Sequence, residues 1–191
     1  DASFRAYFRV RWSGGSAIVM DAPPAHEDCR PFVRIAGALA DLGLNVPHVL
    51  AADIGAGLLL LSDLGDTQYL DALNPASADR LYGDALDALA RLALGGDPAS
   101  GVLPPYDDAL LAREMNLFRD WFLERRLGLA LDAAEHALLD ATFARLSAAA
   151  RAQPQVWVHR DYHSRNLMVC APRNPGVLDF QDAVVGAATY D

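Results

Sequence analysis

Residues 4–12, FRAYFRVRW, alternate apolar and polar side chains over part of their length. Ser13-Gly14-Gly15-Ser16 breaks the pattern, and the apolar run AIVM follows at 17–20. Two strand-like runs around a Gly-Gly turn predict a β-hairpin. From Phe32 the period lengthens. Phe32, Ile35, Ala36, Leu39 and Leu42 recur at helical spacing, with Asp28 as N-cap and Gly43 as stop. Val49–Ala52 and Gly57–Leu61 read as two more strands. Residues 1–62 are therefore expected to form a sheet with one helix.

After Ser62 the pattern turns helical. Asn74-Pro75 offers a cap and an N1 proline, which predicts a helix through Leu81, Ala85, Ala88 and Leu92 to Gly95-Gly96. The stretch GDPASGVLPP reads as a loop. Leu111, Met115, Phe118 and Phe122 mark a second helix ending near Gly128, with Trp121 and Phe122 expected in its core face. Asp132 and Glu135 form a D-x-x-E start for a third, which ends before Pro154. Three short β-type runs follow: Val156–Val158, Leu167–Cys170 and Val177–Phe180. There is no internal repeat and no low-complexity tract.

Composition narrows the function classes. A chain of 191 residues with 52% hydrophobic side chains can bury a sizeable core. A net charge of -9 argues against a nucleic-acid partner, which attracts a basic face. All 16 basic residues are Arg, and no Lys occurs. Cys29 and Cys170 have no metal or redox spacing and are expected as buried, reduced thiols. No signal peptide opens the chain, and no apolar run approaches the ~20 residues of a membrane span. The expected location is cytoplasmic. Asp1 and Asp191 lack any cap or tail, so a piece of a longer chain is expected.

The chemistry concentrates in VHRDYHSRNLMV, Val158–Val169, and VLDF, Val177–Phe180. His159, Asp161 and His163 alternate, and on a strand they would face one way, which could suit a metal. Asn166 and Asp179 fit another pattern better. Phosphoryl transfer needs a carboxylate to receive the proton of the attacking hydroxyl, and oxygen ligands to hold Mg²⁺ on the phosphates. His159-Arg160-Asp161 followed by Asn166, then Asp179-Phe180, has the H-R-D-x-x-x-x-N and D-F spacing of kinases. Bland readings stand beside this one. Asp161 and Asn166 could cap their own loop. His159 is expected to bond a backbone carbonyl near Asp179. His163 is divided between structure and substrate contact. Arg160 and Arg165 are expected in solvent, though Arg165 is also a candidate substrate contact. Gln181 and Asp182 fit a turn or a substrate contact, and Asp63 and Asp66 a turn.

The loop HRDYHSRN resembles the aminoglycoside phosphotransferase and choline kinase type of small-molecule kinase. DASFRAYFRV, MDAPP, LLLLSDLGD, LFRDWFLERRLG and VLDFQDAVVGAATYD resemble the bacterial anomeric kinases of N-acetylmuramate and N-acetylglucosamine, which act in cell-wall sugar recycling. The resemblance implies a two-lobed, protein-kinase-like α+β fold with an N-lobe at 1–62, a C-lobe at 63–191 and further C-terminal helices beyond Asp191. It implies ATP and Mg²⁺ as cofactors and a small-molecule sugar as substrate. Asp161 would be the catalytic base, and Asn166 and Asp179 the Mg²⁺ ligands. Ser3 and residues up to 11 would lie over the phosphates. Leu61, Ser62, Asp63 and Leu64 would form the hinge beside adenine.

One departure is plain. Met20 stands where kinases carry the phosphate-pairing Lys of V-A-I-K. Arg5, Arg9 and Arg11, on one face by alternation, are the candidates to replace it, with Arg9 the first choice. Two other readings remain: another aminoglycoside-type phosphotransferase, or a non-catalytic nucleotide-binding regulator.

Overall fold

The structure, a computed structural model, describes residues 4–191. Ser3 lies outside them. The first hairpin pairs β1 (Ala6–Trp12) with β2 (Gly15–Asp21) through the two-residue turn Ser13-Gly14. Gly14 takes a positive φ of 102°, which a tight hairpin turn favours and a side chain resists. Helix α1 (Arg30–Asp41) follows, then β3 (Val49–Asp53) and β4 (Leu58–Ser62). The four strands form one antiparallel sheet in the order β1-β2-β4-β3. Helix α1 buries Phe32, Ile35, Ala36 and Leu39, the stripe its periodicity gives. Its N-cap is Cys29, one residue beyond the expected Asp28, whose carboxylate accepts the Arg30 N–H at 3.0 Å instead.

The second half is mainly helical: α2 (Tyr69–Ala72), α3 (Ala78–Gly95), α4 (Asp108–Leu117), a π-helical segment (Phe118–Arg126) and α5 (Ala133–Arg151). Asp132 and Glu135 form the expected capping box on α5, each side chain taking the other's backbone N–H. The Asn74-Pro75 start does not hold. Asn74 opens a turn through its side-chain bond to the Ala76 N–H, and α3 begins one turn later at Ala78. Helix α2 has four residues, too few for periodicity to reveal. Of the short strands, β5 (Gln155–Val158) pairs with β8 (Val184–Ala187), and β6 (Leu167–Met168) with β7 (Gly176–Val177).

The main core joins both halves. Met20, Ile35, Leu39 and Leu59 from the sheet side meet Tyr69, Leu81, Leu167 and Phe180 from the helical side, and all are fully buried. Phe32 of α1 touches Phe180, ring centroids 4.9 Å apart. That contact fixes the residue beside Asp179 to the one helix of the sheet half. Both cysteines are free thiols, Cys29 buried and Cys170 half-buried.

Trp121 and Phe122 correct the expected core face: 57% of Trp121 and 48% of Phe122 are exposed. Residues 118–126 wind as a π-helix, so the 3.6-residue period that aligned Phe122 with Leu111 and Met115 is lost. Trp121 instead lies beneath the Arg125 guanidinium, 4.1 Å from its ring centroid. No helix is long and apolar enough to cross a membrane among the described residues.

Candidate active site

The segment 159–166 leaves β5, crosses the surface and returns as β6. Two tight turns fold it, with the His163 N–H on the Asp161 carbonyl at 3.0 Å and the Asn166 N–H on the His163 carbonyl at 2.8 Å. Asn166 then donates from its amide to the Asp161 carbonyl at 3.0 Å, which closes the loop across its mouth. The same amide nitrogen lies 3.4 Å from Asp179 Oδ2. The Leu178 N–H donates to the Asn166 carbonyl at 2.9 Å, so the two polar residues are held side by side from adjacent strands.

His159 is the brace beneath them. It is 1% exposed. Its Nε2 lies 2.9 Å from the Leu178 carbonyl, and its Nδ1 accepts the Asp161 N–H at 3.3 Å. A carbonyl can only accept, so Nε2 carries the proton and Nδ1 does not. Burial holds the imidazole's pKa below its ordinary value, against the opposing pull of Asp191 and the Leu178 carbonyl. The neutral ring is the form that both bonds require. This is the backbone-bonded histidine expected from the sequence. It also removes the metal alternative for His159, Asp161 and His163, because both imidazole nitrogens are occupied.

Two residues of the site take the left-handed backbone region: Arg160 at φ 80° and Asp179 at φ 62°. Such positions cost about 1–3 kcal/mol each and persist where the surroundings over-determine them. Around Arg160 the carboxylate of Asp191 does this, accepting the His159 N–H at 2.6 Å and the Arg160 N–H at 2.7 Å. Burial raises the Asp191 pKa, while the two N–H bonds oppose the rise. Around Asp179 the buried Phe180 and the Leu178–Asn166 bond serve the same end.

Arg160 is not the solvated side chain expected. It is half-buried, ion-paired with Glu114 of α4 and placed over the Tyr106 ring, and it donates to the Asp182 carbonyl at 3.2 Å. Glu114 also accepts from the Tyr106 hydroxyl. Glu114 and Asp191 touch the 159–166 segment, and Gln181 donates to Asp179 at 2.8 Å; sequence reasoning gave none of these contacts. The D that closes the GAATYD stretch was the one available signal for Asp191.

A cavity of about 410 Å³ opens between the sheet and this loop. Six positions expected at a nucleotide line it, namely Arg5, Arg9, Leu61, Ser62, Asp63 and Leu64, together with Asn166, Asp179 and Arg165. Ile18, Pro47, Met168 and Leu178 add apolar walls near the hinge strand that the sequence did not mark. Asp161 and His163 are exposed on the loop outside this lining, as is Asp182 beyond it. The Asp161 carboxylate has no hydrogen bond or ion pair among the described residues. Asp63 shapes the hinge turn as expected, accepting the Gly65 N–H at 2.9 Å.

A sequence profile of the phosphotransferase enzyme family matches residues 1–191. The chain belongs to this family. It is 55% identical over 193 residues to the N-acetylmuramate/N-acetylglucosamine kinase of Pseudomonas aeruginosa and 42% identical over 194 residues to that of Neisseria meningitidis serogroup B. Both matches take in 100% of this chain. They take in 56% and 57% of those proteins, so the chain spans just over half the length of these relatives. Its fold is that of the aminoglycoside-3'-phosphotransferase of type VIII, with a TM-score of 0.65 at 16% identity over 98% of this chain and 71% of that one. The two-lobed, kinase-like α+β architecture of the family is thus the architecture here.

The donors at Asn166 and Asp179 suit Mg²⁺. They are hard oxygens, an amide and a carboxylate, and the carboxylate has no cationic partner among the described residues. No group of three or more His, Cys, Asp or Glu that could hold a metal occurs among the described residues. Two protein ligands with the rest left to phosphates and water is how Mg²⁺ is held at phosphoryl-transfer sites.

Proposed function

We propose that this chain carries the nucleotide-binding and catalytic parts of an ATP-dependent sugar kinase. Its acceptor is the anomeric hydroxyl of N-acetylmuramate or N-acetylglucosamine, in cell-wall sugar recycling. The observation that carries the reading is the loop geometry. An unpartnered Asp161 stands beside Asn166 and Asp179, which are 3.4 Å apart at the wall of one cavity. The 55% identity to a kinase of these sugars supports the acceptor class.

In this reading Leu61–Leu64 present backbone groups to adenine, and Ile18, Pro47, Met168 and Leu178 sandwich its faces. Asn166 Oδ1 and the Asp179 carboxylate hold Mg²⁺, which when bound neutralises charge on the transferring phosphoryl oxygens. Asp161 accepts the proton of the attacking hydroxyl. An anomeric hydroxyl is more acidic than an ordinary alcohol, so positioning matters more than base strength. His159 and Asp191 supply that positioning by fixing the loop from below. ATP supply places the reaction in the cytoplasm.

The test is ADP release with N-acetylmuramate, N-acetylglucosamine and an aminoglycoside as separate acceptors. Turnover with either acetylated sugar supports the reading. Turnover with the aminoglycoside alone overturns the acceptor class, and ATP binding without turnover on any acceptor points to the regulator.

A further inference from the structure

Kinases keep a cation against the α- and β-phosphates and brace it with a glutamate of the helix beside the sheet. Here that lysine's place on β2 is taken by Met20, whose side chain is fully buried in the core. The cross-strand partner of Met20 on β1 is Tyr7, so both share one face of the sheet. Tyr7 lines the cavity. Arg5, two residues earlier, lines it as well.

Arg5 comes with a brace. Its Nε and Nη2 lie 3.1 and 3.0 Å from Oε2 of Glu27, just before α1. Oε1 of the same carboxylate accepts the Phe4 N–H at 3.0 Å. The Phe4 ring stacks on His26, with centroids 4.4 Å apart. The lead-in to β1 is thus tied to the lead-in to α1. The side chains of the pair are only 15% and 13% exposed. Arg5, Tyr7 and Asp179 line the same cavity, so the braced guanidinium opens onto the space that Asp179 also faces. A guanidinium carries five N–H donors, so one carboxylate and one phosphate can share it.

Arg9, the sequence's first choice, is placed differently. Its Nε lies 2.7 Å from Asp63 Oδ2, its other nitrogens pair with Asp66 and reach Asp63 Oδ1 at 3.0 Å, and it donates to the Gly65 carbonyl at 2.9 Å. These contacts engage all three nitrogens of the Arg9 guanidinium, which leaves it little capacity to hold a phosphate. Arg9 clamps β1 to the hinge. Arg11, 3.8 Å from Asp66, follows it there.

We propose that Arg5, braced by Glu27, is the phosphate-binding cation of this nucleotide site, in place of the lysine that Met20 displaces. The proposal rests on the ATP reading above. It adds that helix α1, reached through Glu27, is coupled to the phosphates.

The test compares affinities for Mg²⁺-ATP and for adenosine by calorimetric titration, because adenosine has no phosphate. Arg5→Ala is expected to weaken ATP about ten- to hundredfold, the loss of one charge-assisted contact, and to leave adenosine unchanged. Arg5→Lys recovers part of the loss. Glu27→Ala weakens ATP in the parent and adds little in the Arg5→Ala background, since both act through one contact. Should Arg5→Ala lose adenosine too, the site has collapsed and Arg5→Gln decides: selective loss of ATP supports the proposal, and equal binding by Gln and Lys variants overturns it. ATP affinity in Arg5→Ala within about twofold of the parent overturns it, as does the same selective loss in Arg9→Ala or Arg165→Ala but not in Arg5→Ala. A parent that binds neither ligand overturns the nucleotide reading instead.

Discussion

Replacing His159 with phenylalanine keeps the ring and removes both nitrogens. The Leu178 carbonyl then loses its side-chain donor at 2.9 Å, and the Asp161 N–H loses its acceptor at 3.3 Å. Leaving one buried polar group unsatisfied costs about 1–3 kcal/mol, and the longer second bond contributes less, so the sum is about 2–4 kcal/mol. For a chain of this length each kcal/mol lowers Tm by about 2–4 °C, which gives a fall of roughly 5–15 °C. Catalysis should suffer separately. His159 spans from the Asp161 loop to the residue before Asp179, so its loss lets the two carboxylates drift apart. A misplacement near 1 Å costs on the order of 10²-fold in kcat. Thermal unfolding followed by circular dichroism and initial rates of ADP release read the two effects. His159→Gln can donate and accept, and it should recover part of each. If His159→Phe melts within about 2 °C of the parent and turns over normally, the histidine is not a brace.

The same residue sets a pH response. Its folded-state pKa lies below the ordinary value, so the unfolded chain binds the proton first as pH falls. Stability from this group is complete above the unfolded pKa of ~6.5 and declines below it; denaturation midpoints from pH 7.5 to 5 should show a fall that His159→Gln loses. Asp179→Ala should abolish the Mg²⁺ dependence of ATP binding, because the site's anionic metal ligand is gone. Titrations with and without Mg²⁺ check this, and an unchanged dependence would remove Asp179 from the metal site. Asp191→Ala frees two backbone N–H groups of the loop and should lower kcat about ten- to hundredfold with ATP affinity nearly unchanged; an unaltered kcat would show that the loop holds itself.

Much of the candidate site was legible because its spacing is local. Four residues between Asp161 and Asn166 permit one tight loop, and Asp179 follows just after the next pair of short strands. The buried face of α1 was legible for the same reason. What failed to show in sequence depends on distant partners. Arg160 reads as a surface cation until Glu114, 46 positions away, is brought to it. Arg9 sits on the cavity face that alternation gives, but its pairing with Asp63 and Asp66 is a property of the folded hinge. Strand β8 has four residues with a glycine inside, and it becomes a strand through pairing with β5. The apolar stripe of residues 111–122 predicted a covered face, and periodicity cannot foresee a π-helical winding that turns the stripe outward.

In the proposed reaction Asp161 delivers the anomeric hydroxyl of an acetylated amino sugar to the γ-phosphate of ATP. The most direct measurement is ³¹P NMR of the product formed from N-acetylglucosamine, run beside its 1-O-methyl glycoside and beside the Asp161→Asn variant. The free sugar should give a sugar 1-phosphate, the methyl glycoside none, and the variant a rate lowered about 10²–10⁴-fold. Phosphorylation of the methyl glycoside at the parent's rate, or full activity in Asp161→Asn, would contradict that reaction.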